Sequence, residues 1–283
     1  MTTFRAILSI IALALVSVIL IPLQFIAMGL KWTSAMRRLP LLWHRCAVRI
    51  LGIRVHVHGK VADTRPLLVV SNHVSWLDIT VLGSVMPLSF ISKAEVASWP
   101  IFGLFAKLQR SVFVEREKRA KTGSVAEQIA DRLKAGDVLV LFGEGTSSNG
   151  IHVLPFRTAL VGGAARAIES VGGSVTVQPL AINYTQLHGL PIGRFHKPRV
   201  AWYGDMEMAS HLWWVLKHGE IDVDVAFGEP LAFGEGADRK RVARDAETAV
   251  RRLVGEATAG RLTRSPKGAG PAQERHADET EAA

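Results

Sequence analysis

The chain has 283 residues, enough for one catalytic domain with an anchor and a tail. Its net charge of +9 favours anionic partners. The basic residues fall in short clusters such as Arg37-Arg38 and Arg239-Lys240-Arg241, not in one stripe, so no nucleic-acid partner is expected. The single cysteine, Cys46, excludes an internal disulfide and a zinc site built from several cysteines.

In chain order, the first predicted element is apolar. Between Arg5 and Lys31 lie 25 residues without formal charge, about the length that crosses a bilayer core as a helix. The run is too long for the core of a cleavable signal peptide, and Lys31-Trp32 closes it with an interfacial pair. Pro22 and Gln24 interrupt its last third, so a helix that enters one leaflet and bends is the alternative to a full span. Arg5 precedes the run, whereas Lys31, Arg37, Arg38, Arg45 and Arg49 follow it, which places the rest of the chain in the cytoplasm. The residues from about Ala35 to Leu51 alternate leucines and Trp43 with arginines. They are expected to form an amphipathic helix at the membrane surface, with a break near Pro40; the alternative is an ordinary core helix.

From Ile53 the pattern changes. IRVHVHG, PLLVVSN, LSFISK, SVFVER, DVLVLFGEG, SVTVQPLAINY and IDVDVAFG read as strands. Helices are predicted over 122–134, where Val125, Ile129 and Leu133 share a face, and over 158–171 and 239–253. Strands alternating with helices predict an α/β domain with a mainly parallel or mixed sheet flanked by helices. The expected organisation is a membrane anchor and interfacial helix at 1–50, a catalytic domain at 51–258 and a disordered polar tail at 259–283.

The segment VVSNHVSWLDIT places His73 just after an apolar strand and Asp78 five residues later. Ligands gather where strands of an α/β sheet end. Two residues five apart on one regular helix would face about 140° apart, so contact requires His73 in the turn and Asp78 in the first helical turn. Ser75 is then the expected N-cap, with Asp78 three residues on as in a capping box. The plain alternative is that Asp78 only caps and His73 is an ordinary turn residue. In FGEGTSSNG, Gly143 and Gly145 permit close backbone approach, and Thr146, Ser147 and Ser148 supply hydroxyls. Arg116 at a strand exit and Lys93 after LSFIS are candidate phosphate ligands, or plain surface cations.

Taken together, these segments resemble the phospholipid/glycerol acyltransferase family, over about residues 51–230. NHVSWLD matches its first block, VFVER its second, FGEGTS its third and VQPLAI its fourth. The resemblance implies O-acyl transfer from acyl-CoA or acyl carrier protein to a lysolipid at the bacterial inner membrane, with no metal or organic cofactor. His73 and Asp78 would be catalytic. Asn72, Lys93, Arg116, Glu144, Gly145 and Thr146 would bind substrate. Lysophosphatidate is the first acceptor expected. Ser147, however, replaces the family's usual arginine and Gly143 its usual proline, and the motifs also resemble relatives that acylate lyso-ornithine lipid, a zwitterion. Two rivals are a non-catalytic membrane-anchored lipid binder and a metal-dependent hydrolase using His56, His58 or His152 as further ligands.

Overall fold

The computed structural model describes residues 2–114, 122–158, 160–161, 175–233 and 238–262. Arg116, most of the predicted helix 158–171 and the tail beyond 262 lie outside the described residues. Two helices open the chain, α1 (Thr2–Gly29) and α2 (Thr33–Leu51). Strands β1 (Ile53–His58), β2 (Leu67–Ser71), β3 (Ser89–Lys93), β4 (Val112–Val114) and β5 (Val138–Phe142) follow, then β6 (Val175–Leu187), β7 (Leu190–Pro191), β8 (Ile221–Phe227) and β9 (Leu231–Phe233). The main path of the sheet runs β1-β8-β6-β2-β5-β3-β4. Pairing is parallel except where β6 meets β7, β8 and β9, so the sheet is mixed, as the alternating strands and helices predict.

All five residues of β2 are buried because both faces of the sheet are covered. Leu67 and Val69 enter a core built with α2, α3 (Leu77–Val85) and α6 (Met208–His218). Leu68 and Val70 face the other core, under α5 (Thr122–Lys134) and α7 (Arg239–Thr258). The helix α5 has its predicted bounds, and α7 runs five residues past Leu253.

The helix α2 is not broken at Pro40. A proline cannot donate to the carbonyl four residues back, which here is Met36. Gln24 of α1 takes that place: its Nε2 donates to Met36 O at 3.2 Å and to Leu108 O at 2.9 Å, at the end of α4 (Phe102–Leu108). A buried glutamine in an apolar helix is thereby explained. At the other end of α1, the Arg5 guanidinium donates to Leu51 O at 2.8 Å and also to Leu216 O. Trp43 Nε1 reaches Ser17 Oγ between them at 2.9 Å. Thus α1 lies along the domain. Its opposite side exposes Phe4, Leu15, Val18 and Ile19, a surface that water does not favour. On α2's inner side, the His44 ring fits against Gly83 of α3, where a Cβ would come within 2.3 Å of it.

A polar latch joins α2, α5 and the sheet. Asp137, buried at the start of β5, accepts from Arg37 (2.7 Å), Arg110 (3.2 Å) and Arg132. Burial by itself would raise the Asp137 pKa, but the Arg132 hydrogen bond and the three guanidinium charges outweigh it and hold the carboxyl below its usual range. The stability this contributes is present above the unfolded aspartate pKa and lost as pH falls through the lower folded value. Asp137→Asn should cost about 2–3 kcal/mol at pH 7 by leaving three cations without their anion. Chemical denaturation at pH 7 and at pH 3 measures it, and the gap between variant and wild type should narrow at the lower pH.

Candidate active site

The chain leaves β2 at Ser71, and the next residue locks the exit in place. Asn72 accepts from Ile182 N at 2.9 Å and donates to Ile182 O at 2.9 Å, continuing the β2–β6 ladder with a side chain. The turn 72–76 carries His73, and α3 then starts at Leu77. Asp78, fully buried in the first turn of α3, gathers four donors. Its Oδ2 accepts from His73 Nδ1 at 2.8 Å, Val74 N at 2.7 Å and Ser75 N at 3.1 Å. Its Oδ1 accepts from the Tyr184 hydroxyl at 2.7 Å, across from β6.

The expected N-cap at Ser75 is corrected here. Its hydroxyl is buried without a partner and makes no cap bond; Asp78 instead reaches back to the turn's own N–H groups. The reason is geometric: Asp78 N bonds Ser75 O in a tight turn at 3.0 Å, which carries the carboxylate over the N–H groups that a Ser75 cap would have left to it.

The loop after β5 clasps His73 from both sides. His73 N donates to Glu144 Oε1 at 3.1 Å, and Ser148 N donates to His73 O at 2.8 Å. Gly143 N donates to Ser71 O at 2.9 Å, a bond that a proline at this position cannot make, and the Phe156 ring fills the space where a Cβ would stand. Gly145 turns with φ +70°, which favours glycine. The His73 ring stacks on Phe142 with centroids 4.0 Å apart. Nδ1 is held by Asp78, so Nε2 is the nitrogen left free on the side of the cleft that His73 lines.

That cleft has a volume of about 1020 Å³ and is mainly apolar. His73, Phe142 and Thr146 line it, together with Trp76, Phe105 and, from α1, Val18 and Ile21. Lys93, Gly145 and Thr146, three of the expected substrate-binding residues, also line it. Asn72 and Glu144 do not; both are buried behind it, supporting the backbone. Ser75 is likewise absent from the wall. His56 and His58, weighed as metal ligands, sit on β1 against Asp222 and Asp224, with β8 and β6 between them and β2.

Comparison with known proteins follows the same lines. A family model described as acyltransferase matches residues 52–183. A lyso-ornithine lipid O-acyltransferase of Brucella abortus is 49% identical, over 92% of this chain and 97% of its own length. This chain belongs to the acyltransferase family. Its members include a second lyso-ornithine lipid O-acyltransferase, from Rhizobium meliloti, at 47% identity over 90% of this chain and 88% of that one. A 1-acyl-sn-glycerol-3-phosphate acyltransferase of Neisseria gonorrhoeae is 29% identical over 74% of this chain and 78% of its own. The fold matches the crystal structure of the LPA acyltransferase PlsC from Thermotoga maritima, with a TM-score of 0.64 and 20% identity over 92% of this chain and 98% of that chain. The non-catalytic lipid binder is set aside: the chain is an acyltransferase, as its motifs imply.

Tyr184 and Phe142 were not singled out from the sequence. Tyr184 continues the alternation Leu180, Ile182 on one face of β6, a signal of burial but not of contact with Asp78. Glu144 has its own signature. Burial pushes its carboxyl up to about 8, and the nearby Asp78 charge adds to this, against the His73 N–H bond that lowers it. A folded pKa above the unfolded one means that the stabilising contribution is complete below the unfolded glutamate value and is lost as pH rises through about 8. Glu144→Gln keeps the acceptor for His73 N and never ionises. The melting temperature of this variant relative to wild type should therefore rise between pH 5 and pH 9; a flat difference would show that Glu144 ionises as readily folded as unfolded.

Proposed function

We propose that the enzyme transfers a fatty acyl group from an acyl-CoA or acyl carrier protein thioester to the hydroxyl of lyso-ornithine lipid. The similarity to two enzymes so named, at 49% and 47% identity over nearly the whole chain, carries this preference over lysophosphatidate. Ser147 on the cleft wall agrees with it, because it leaves the third block without its usual cation for a phosphate. The lysophosphatidate reading, first expected from the motifs, has the weaker support of relatives at 29% identity.

The chemistry rests on His73 Nε2, which faces the cleft while Nδ1 is bonded to Asp78. An alcohol is too weak an acid to ionise at neutral pH, so neutral imidazole takes its proton as the oxygen attacks the thioester carbonyl. The tetrahedral intermediate collapses with cleavage of the C–S bond. The imidazolium returns the proton to the departing thiolate, giving an ester and a thiol. Asp78 holds the tautomer and stabilises the imidazolium, as the acid of a hydrolase triad does. Gly145, Thr146 and Lys93, all on the cleft wall, would meet the acceptor's head group. Asn72 and Glu144 act as positioning residues behind it.

Residues 1–50 serve in this reading as the membrane anchor, ahead of a catalytic domain at 51–258. Arg5 and Gln24 are about 28 Å apart along α1, nearly the thickness of a bilayer core, yet both bond to the same domain. A helix that crossed the membrane could not do so. The anchor therefore lies in one leaflet of the inner membrane, on the cytoplasmic side by its arginines, and the cleft opens beside it to a lipid tail.

The test offers both acceptors with a labelled acyl thioester to the full-length protein in vesicles. Lyso-ornithine lipid should give a kcat/KM at least tenfold above lysophosphatidate, and His73→Ala should lose about 100-fold or more with either. A preference for lysophosphatidate would reverse the assignment of acceptor; a His73→Ala variant above a tenth of wild-type rate would remove the proposed base.

A further inference from the structure

We infer that Tyr184 is a positioning residue of the acyl-transfer reaction: by donating to Asp78 Oδ1, it orients that carboxylate towards His73 and moderates how strongly it draws the imidazole proton. The inference rests on the roles proposed above for His73 and Asp78, and it adds a third partner supplied by a different strand.

The geometry is specific. Tyr184 is buried, with 3% of its surface exposed, and its hydroxyl lies 2.7 Å from Asp78 Oδ1. Three donors converge on Oδ2, and the Tyr184 hydroxyl is the one that Oδ1 receives. With Oδ1 bound to β6 and Oδ2 to the turn, the carboxylate plane cannot rotate, and its contact with His73 Nδ1 is fixed in direction. The bond also shares the negative charge. A carboxylate that gives part of its charge to a phenol attracts the imidazolium less, so His73 releases its proton more readily to the thiolate in the second half of the reaction.

A purely structural reading would treat the hydroxyl as a buried donor that needed any acceptor. Asp78 had three donors already, and the β6 alternation would accept phenylalanine at the same position in the core. Burial and the Asp78 charge raise the Tyr184 pKa well above that of a free phenol, so the hydroxyl stays protonated and remains a donor. The other ionisable groups around the pair are few. Glu144 lies behind His73 from the β5 exit, with Arg251 of α7 acting on it electrostatically. Lys93 at the end of β3, Glu95 just beyond it, Asp205 before α6 and His44 of α2 line the cleft. Among the described residues, none of these hydrogen-bonds to Asp78 or Tyr184.

The chain contains two tyrosines, Tyr184 and Tyr203. In a Tyr203→Phe background, biosynthetic incorporation of 3-fluorotyrosine therefore alters Tyr184 alone and makes it a stronger donor without changing its shape. The experiment measures kcat/KM against pH for wild type, Tyr184→Phe, the Tyr203→Phe variant and its fluorinated form, each full-length in the same vesicles, with thermal melts alongside. Tyr184→Phe should lower turnover about two- to tenfold and move the acid limb of the profile upward by ~0.4–1 pH unit, the size of one hydrogen bond's net effect. Fluorination should move the same limb downward relative to unfluorinated Tyr203→Phe. Shifts of opposite sign support the inference, because a loss of packing or stability has no reason to reverse with donor strength. Limbs that stay in place, or move in the same direction, overturn it. If Tyr184→Phe does not fold, the fluorinated protein decides alone. His73→Ala runs in the same series: an active His73→Ala removes the base itself, whereas an inactive one beside unmoved limbs overturns only the role of Tyr184.

Discussion

A carboxylate with no exposure to water must find hydrogen-bond donors, and Asp78 finds four, three from the turn 73–75 and one from β6. The rest of the site depends on this requirement. Two donors are the N–H groups of Val74 and Ser75, so satisfying Asp78 shapes the turn between β2 and α3. A third is His73 Nδ1, so the same bonds turn the imidazole's other nitrogen towards the cleft. The fourth is Tyr184, which carries the constraint into β6. Removing any one donor leaves part of a buried anion less well satisfied, at a cost in free energy.

Around this anion the scaffold supplies rigidity by ordinary means. Asn72 mimics a peptide to extend the β2–β6 ladder, and the Glu144–Ser148 loop holds both peptide groups of His73. A buried glutamate that is protonated at neutral pH suits this task, since it accepts from an N–H without placing a second negative charge beside Asp78. On the opposite side the cleft is lined by α1 and α2, and the outward surface of α1 is apolar. The apolar helix is thus both the outer surface of the molecule and one wall of its binding cleft, which favours a ligand with a long hydrocarbon chain.

Much of this was legible in the sequence where the signal was local. The strands followed from apolar runs and alternation, α5 from three residues on one helical face, and the His73–Asp78 contact from a spacing that forces a turn before a helix. What stayed hidden depends on contacts between distant residues. Tyr184 is 106 positions from Asp78, and nothing in NYTQL says which element β6 will face. Asn72 was expected to bind substrate from the resemblance of its motif, but the pairing of β2 with β6 commits its amide to Ile182. The break expected at Pro40 failed for the same reason, because a glutamine from another helix meets the carbonyl that the proline leaves unbonded. Ser75 misled through its residue type: it has the chemistry of a cap, but the Asp78 N–H that its hydroxyl would have used bonds the Ser75 carbonyl instead.

The central claim is that Asp78 works through the charge it places beside His73, beyond its role in holding the turn. Asp78→Asn separates the two. The amide can still accept some of the backbone hydrogen bonds, but it is neutral and sets an N–H where His73 needs an acceptor. The decisive measurement is the turnover of this variant at saturating thioester, taken with its thermal melt in the same membrane mimetic. The account predicts a loss approaching ~10⁴-fold, as for the same change in a serine-protease triad, in a protein that remains folded at the assay temperature. A variant that melts earlier but turns over within tenfold of wild type would make Asp78 a structural cap and contradict the mechanism.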